Sequence, residues 1–366
     1  MNHNLNVQIM NKGIIYVCML FLCFACNDSD AGNTLPLSFQ TIQMENNSNF
    51  VTLTAITDGD AKDASFEWSI PSKNLRLTGR SVVCYFEQKG TYEVTLTSEW
   101  NSQKGSITKT ITVDNDSYYH QQGEYLWWND EFTSYTLDKM AWNYDIGTEG
   151  WGNSEKQNYT SSSENSFIRD GKLVIRALKL DGKTGEEKGD FTSARIMTKG
   201  KIEINRGRVE VRAKVPGVKG TVPAIWFYGK NAYPYYSELD MMEYVAYEKN
   251  KIHGTAHTTA TLADPKEETN VSSGTIMVND VETSFHIYGM NWTDEKVEFY
   301  VDDPSNVYLT FTPSQKDDPR FWPFNNELYL IINVSVGGTW GSRYGIDLDK
   351  FPLEMEIDYV RIFKKN

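Results

Sequence analysis

Three carboxylates crowd one short stretch of this chain. Glu238 and Asp240 stand two positions apart and Glu243 follows three later, in Tyr236-Ser237-Glu238-Leu239-Asp240-Met241-Met242-Glu243-Tyr244-Val245. Asp and Glu are depleted in strands, yet Leu239, Met241, Tyr244 and Val245 give this stretch the apolar content of one. In an extended chain alternate side chains share a face, so Glu238 and Asp240 point the same way and Met242 should come next. Glu243 arrives one position late. A β-bulge at Met241-Met242 would absorb the extra residue and return Glu243 to the acidic face, and bulges are common beside active sites. Three like charges on one face repel, so at least one carboxyl is expected to hold its proton more tightly than usual. One ionised and one protonated carboxyl are what retaining glycoside hydrolysis needs, the first to attack the sugar carbon and the second to protonate the leaving oxygen. Retention wants the two groups about 5–5.5 Å apart. A strand rise of about 3.3 Å per residue separates their backbones by more than that, so the side chains must lean together over Asp240. A solvated acidic strand or a calcium ligand set would show the same spacing, which leaves those readings open.

The elements that must position this stretch also read as strands. Val209, Val211, Ala213 and Val215 alternate with polar residues, as do Val297, Phe299 and Val301, and then Leu328, Leu330, Ile332, Val334 and Val336. Period two rich in β-branched residues predicts strands, and no long helical period is evident. Residues 123–366 therefore read as one large sandwich. Shorter alternating runs at Val51, Leu53 and Ala55, at Tyr92, Val94 and Leu96, and at Ile111 and Val113 predict a smaller sandwich over residues 36–114. Polar residues from Asp114 to Gln122 separate the two. The fold class is all-β.

Composition agrees with this division. The chain has 366 residues, 40% hydrophobic and 23% charged, enough apolar content to bury cores and too much for a disordered chain. A formal charge of -13 disfavours nucleic acid as a partner, since phosphate binding needs clustered Lys and Arg. A neutral sugar is compatible with it. Of the 10 Trp, all but Trp68 and Trp100 lie at or beyond Trp127, so aromatic surface for stacking or for core packing belongs mainly to the later part. No phosphate loop, zinc-type Cys/His spacing or nucleophilic Ser motif competes.

Lys12 precedes an apolar run from Ile14 to Ala25, shorter than the ~20 residues that cross a bilayer and typical of a signal-peptide core. Leu22-Cys23-Phe24-Ala25-Cys26 resembles a bacterial lipoprotein box. Asn27-Asp28-Ser29-Asp30 resembles the surface-export signal of Bacteroides-type lipoproteins. The resemblance implies a signal peptide over residues 1–25, lipidation at Cys26, a tether over 26–35 and an outer-membrane location, at the cell surface or on the periplasmic face. Such a mature chain keeps Cys84 as its one further thiol. In Val82-Val83-Cys84-Tyr85-Phe86 it reads as a buried small hydrophobe.

Glu-Leu-Asp-Met-Met-Glu resembles the catalytic signature of glycoside hydrolase family 16 in its bulged, laminarinase-like form. Further segments follow in the family's order. They include Gly150-Trp151-Gly152-Asn153-x-Glu155, Thr192-Ser193-Ala194-Arg195-Ile196, Pro223-Ala224-Ile225-Trp226, Gly254-Thr255-Ala256-His257, Val336-Gly337-Gly338 and Asp358-Tyr359-Val360-Arg361. The resemblance implies a concanavalin-like β-jelly-roll with a glycan cleft on one face. It makes Glu238 the nucleophile and Glu243 the general acid/base, with Asp240 between them. Trp226 is expected to stack near the cleaved sugar. Asn153, Arg195 and His257 fall on cleft segments, as ligand contacts or as structural hydrogen bonders, His257 in support of Glu243. Trp151 and Trp340 are sugar platforms or rim packing. Catalysis requires no cofactor. A structural Ca²⁺ on the far face would use Glu131, Gly171 and Asp358, with backbone carbonyls supplying some of the oxygens, and oxygen ligands suit that ion.

The implied enzyme is a retaining endo-β-glycosidase cutting internal β-1,3 or β-1,4 bonds, and a monomer. Its substrate is either a β-1,3(4)-glucan or a galactose-containing glycan. Val222 stands where laminarinases usually carry Trp, and Tyr235 and Tyr236 replace small residues. Removing bulk at Val222 is expected to leave space that an axial hydroxyl could use. The competing class is a non-catalytic glycan-binding surface lipoprotein. Residues 36–114, through Phe66-Glu67-Trp68 and Gly90-x-Tyr92-x-Val94-Thr95-Leu96, resemble a polycystic-kidney-disease-type (PKD-like) immunoglobulin-like domain, implying a spacer or a carbohydrate-binding module.

Overall fold

In a computed structural model, residues 37–43, 49–57, 64–229, 234–263 and 272–366 are described. The leader, Cys26 and the tether lie outside them.

The acidic stretch is a strand, Ser237–Tyr244. It sits inside a sheet whose order is Ser273–Met277, Lys251–Thr258, Ser237–Tyr244, Thr221–Gly229, Leu328–Val336, Arg195–Met197, Asn143–Tyr144. A second sheet packs beneath it, ordered Gln157–Tyr159, Phe191–Ser193, Lys172–Lys179, Leu353–Lys365, Gly207–Lys214, His286–Trp292, Val297–Val301, Val307–Phe311. The period-two runs of the sequence supply the layer between. Ile225, Phe227, Leu239 and Ile332 from the first sheet meet Val209, Val211, Phe299 and Ile357 from the second in one buried cluster. Each such side chain contributes about 1.5–3 kcal/mol when fully buried. Leu328–Val336 is buried at every position, next to the acidic strand's partner and covered on both faces. The result is the expected jelly-roll sandwich.

The earlier residues build a smaller sandwich. Leu37–Gln43, Phe50–Thr57 and Ser81–Tyr85 form one sheet. Leu75–Thr78, Ser65–Ile70, Gly90–Trp100 and Gln103–Val113 form the other. Phe39, Leu53 and Cys84 pack against Trp68, Val94 and Leu96 between them. Trp68 is fully buried and its Nε1 donates to the Gly79 carbonyl at 2.8 Å, so it belongs to the core and offers no sugar platform. A short helix, Tyr118–Gln121, follows, its first turn capped by Ser117, which accepts from the His120 N–H. Its Tyr119 stacks on Phe363 at 3.7 Å and donates to Glu210 at 2.8 Å, joining the connecting segment to the larger sandwich.

Candidate active site

Strand pairing shows how Glu243 reaches the acidic face. Against the Thr221–Gly229 strand, Trp226 pairs with Asp240 and Ile225 with Met242, which leaves Met241 as an extra residue. Against Lys251–Thr258, the register jumps between Asp240, opposite Thr255, and Glu243, opposite His253. This is the bulge expected at Met241-Met242. Both methionines are fully buried in the core. Glu238 and Glu243 stand partly buried on the opposite face, with Asp240 buried between them.

The three carboxyls are not equivalent, because their partners differ. Burial pushes Glu238 above the usual range, but the Tyr236 hydroxyl donates to its Oε2 at 2.8 Å, and His257 and Arg195 also favour its ionised form. Burial, then the charges of Asp240 and Glu238, push Glu243 well above the usual range. Burial and then Glu238 do the same to Asp240. Glu238 therefore has the surroundings of an ionised nucleophile and Glu243 those of a proton carrier. His257 Nε2 lies 3.2 Å from Asp240 Oδ2, so its direct partner is Asp240 and not Glu243, the partner expected from sequence.

Aromatic side chains line the same face. The Arg195 guanidinium lies 4.7 Å from the rings of both Trp151 and Trp226, and its Nε pairs with Asp145 at 3.2 Å. Trp226 is held by its Nε1, which donates to Asn333 Oδ1 at 2.8 Å. Asn333 in turn donates to the Tyr159 hydroxyl at 3.0 Å. Trp340 meets His253 edge-on at 5.1 Å, and His253 is the residue opposite Glu243. Asn153 accepts from Thr339 Oγ1 at 2.9 Å and ties two turns together.

The fold thus gathers Glu238, Asp240, Glu243, Trp226, Arg195, His257 and Trp151 around one centre, with Trp340 at its Glu243 end. Tyr236, expected to reshape the cleft, in fact touches a carboxylate, as strand parity with Glu238 and Asp240 would have indicated. Asn333 escaped the sequence reading, its signal being a polar residue inside an apolar strand.

Val222 opens no gap. It is 6% exposed, and a Cβ on Gly341 would come within 2.8 Å of its Cγ2, so the turn bearing Gly341 lies over it. The expected space is filled by backbone.

The residues expected to hold calcium do not offer a cradle of free carboxylates. Glu131 accepts from Arg361 Nε and Nη2, each at 2.8 Å. Asp358 accepts from Arg212. Gly171 occupies a turn at φ 68°. The side-chain oxygens of Glu131 and Asp358 are thus engaged by two arginines, so Ca²⁺ at these positions would draw on backbone carbonyls. Among the described residues, the His, Asp and Glu group within mutual ligating reach is Glu238, Asp240 and His257, within 4.8 Å of one another.

Comparison with known proteins agrees with this geometry. Residues 153–361 match glycosyl hydrolases family 16. A beta-glucanase of Rhodothermus marinus is 39% identical over 254 residues, 65% of this chain and 85% of that one. The X-ray structure of the laminarinase from Rhodothermus marinus aligns with TM-score 0.60 and 36% identity, over 66% of this chain and 97% of that one. A keratan-sulfate endo-1,4-beta-galactosidase of Sphingobacterium multivorum is 30% identical over 250 residues, 65% of this chain and 55% of that one. With its bulged acidic strand and the match across 153–361, this chain belongs to glycosyl hydrolases family 16 and is an endo-β-glycanase of that family.

Proposed function

We infer that the enzyme hydrolyses internal bonds of β-1,3- or mixed-linkage β-glucan with retention at the anomeric carbon. The 39% identity to a beta-glucanase carries the substrate reading. The backbone packed over Val222 adds to it, because the space invoked for an axial hydroxyl is filled. In the first step Glu238 attacks the anomeric carbon, the glycosidic C–O bond breaks, and the Glu243 proton passes to the departing oxygen. In the second, Glu243 takes a proton from water, the water oxygen attacks the same carbon, and the Glu238 ester bond breaks. Asp240, beside Glu238 and within reach of His257, helps set which carboxyl keeps its proton.

Initial rates on laminarin, lichenan and a keratan or mucin O-glycan, with the products analysed, test the substrate. Cleavage of the galactose-containing glycan alone overturns the glucan reading and favours the one suggested by the 30% identical galactosidase. Glu238→Gln is expected to abolish hydrolysis while glycan binding persists, and unchanged turnover would refute the nucleophile assignment.

The same reading makes the chain a lipoprotein anchored at Cys26, with residues 36–114 as a spacer. The leader motif supports the anchor, and the burial of Trp68 supports the spacer. Cys26→Ala is expected to move the enzyme from the membrane fraction to the soluble one.

A further inference from the structure

A second bulge faces the one that places Glu243. In the pairing of Val297–Val301 with Val307–Phe311, Phe299 pairs with Leu309 and Tyr300 with Val307, so Tyr308 is the extra residue. Its side chain leaves the second sheet and reaches the first, where its hydroxyl donates to the carbonyl of Met241, the extra residue of the acidic strand. A bulge residue has no regular ladder partner for its backbone groups, and a buried carbonyl without a donor costs about 1–3 kcal/mol.

The path of the ring is built into the neighbouring strands. Gly254 lies opposite the Met241-Met242 bulge and pairs with Gly274 on the next strand. A Cβ on Gly254 would lie 2.8 Å from Tyr308 Cε2 and 3.0 Å from its hydroxyl oxygen. A Cβ on Gly274 would lie 2.2 Å from the Tyr308 carbonyl oxygen. A side chain at Gly254 would press on the Tyr308 ring and on Phe299 Cδ2 at 2.9 Å, and one at Gly274 would press on the Tyr308 backbone. Burial, with Tyr288, Glu243 and Asp240 nearby, holds the phenol well above its usual range, so it remains a donor.

We propose that Tyr308, seated in the slot made by Gly254 and Gly274, is a positioning residue for Glu243: it locks the carbonyl of Met241 and so fixes the bulge that aims the acid/base at the leaving oxygen. The proposal rests on the reading of Glu243 as acid/base. Tyr308 touches no substrate, and its effect passes through the backbone between Met241 and Glu243.

Tyr308→Phe, Gly254→Ala and Glu243→Gln are compared with the parent enzyme on two substrates. One is the polymer cleaved fastest. The other is a dinitrophenyl β-glycoside of the same sugar, whose leaving group departs without a proton. General acid catalysis is worth about 10²–10⁴-fold, so partial misplacement by Tyr308→Phe is expected to lower kcat on the polymer about tenfold or more. KM should stay within about twofold, and kcat/KM on the dinitrophenyl glycoside should be nearly unchanged. Gly254→Ala, which crowds the ring and the neighbouring Phe299 without removing the hydroxyl, should give the same pattern and carries the test if Tyr308→Phe does not fold. An unchanged kcat on the polymer, or equal losses on both substrates, overturns the proposal. If Glu243→Gln shows the leaving-group dependence and the other two variants do not, only the role of Tyr308 falls. If Glu243→Gln retains polymer activity, the acid/base reading itself fails.

Discussion

The Tyr236 hydroxyl donates to Oε2 of Glu238 at 2.8 Å, from two positions upstream in the chain. The donor favours the ionised carboxylate and opposes the burial that pushes Glu238 upward. Without it Glu238 holds its proton to higher pH, so the acidic limb of the pH–rate profile of Tyr236→Phe should move up. A hydrogen bond to a charged group is worth about 1.5–3 kcal/mol, so activity on the acidic side should fall about tenfold or more. The profile of kcat/KM against pH measures this, and an unmoved acidic limb would show that the bond does not govern Glu238.

Asn333 should act through Trp226. It holds the indole N–H and is buried. In Asn333→Ala the indole loses its acceptor and the Tyr159 hydroxyl loses its donor. A lost buried partner costs about 1–3 kcal/mol, and the loosened platform should raise KM about three- to tenfold with a smaller change in kcat. Steady-state kinetics on the preferred polymer separate the two.

Glu131 should matter to stability and not to turnover. Its two oxygens hold the buried Arg361, whose guanidinium lies 3.5 Å from the rings of Phe50 and Tyr359. Glu131→Ala removes the carboxylate from a buried cation, a change that costs about 3–5 kcal/mol. Urea unfolding should show a lower midpoint, while kcat of the folded enzyme stays near that of the parent.

Cys84 should be inert in the native protein. It is 1% exposed, and burial pushes its thiol up to about 12. In a chain begun at Asn27, where Cys84 is the one cysteine, a thiol reagent at pH 8 should react slowly until denaturant is added and then take up one equivalent. Rapid labelling of the folded protein would contradict this.

The bulged acidic strand was legible in the sequence because it depends on residue type and local spacing. Glu238, Asp240 and Glu243 declared a strand with one residue too many, and the alternating apolar runs declared the sheets that carry it. Local periodicity sets which face a side chain takes, so the bulge and the sandwich could both be read from it. What surrounds the carboxyls could not. His257 lies 17 positions beyond Asp240, and Asn333 lies 107 beyond the Trp226 it holds. Tyr308, 67 positions from Met241, reaches it from the other sheet. The backbone of Gly341 over Val222 and the arginines on Glu131 and Asp358 likewise come from distant segments. Strand pairing within a sheet brings His257 and Asn333 to their partners, and the packing of the two sheets brings Tyr308 to Met241. Because desolvation and partner charges act over a few ångströms of space and not along the chain, the tertiary structure decided how far each carboxyl is pushed upward and what packs over Val222.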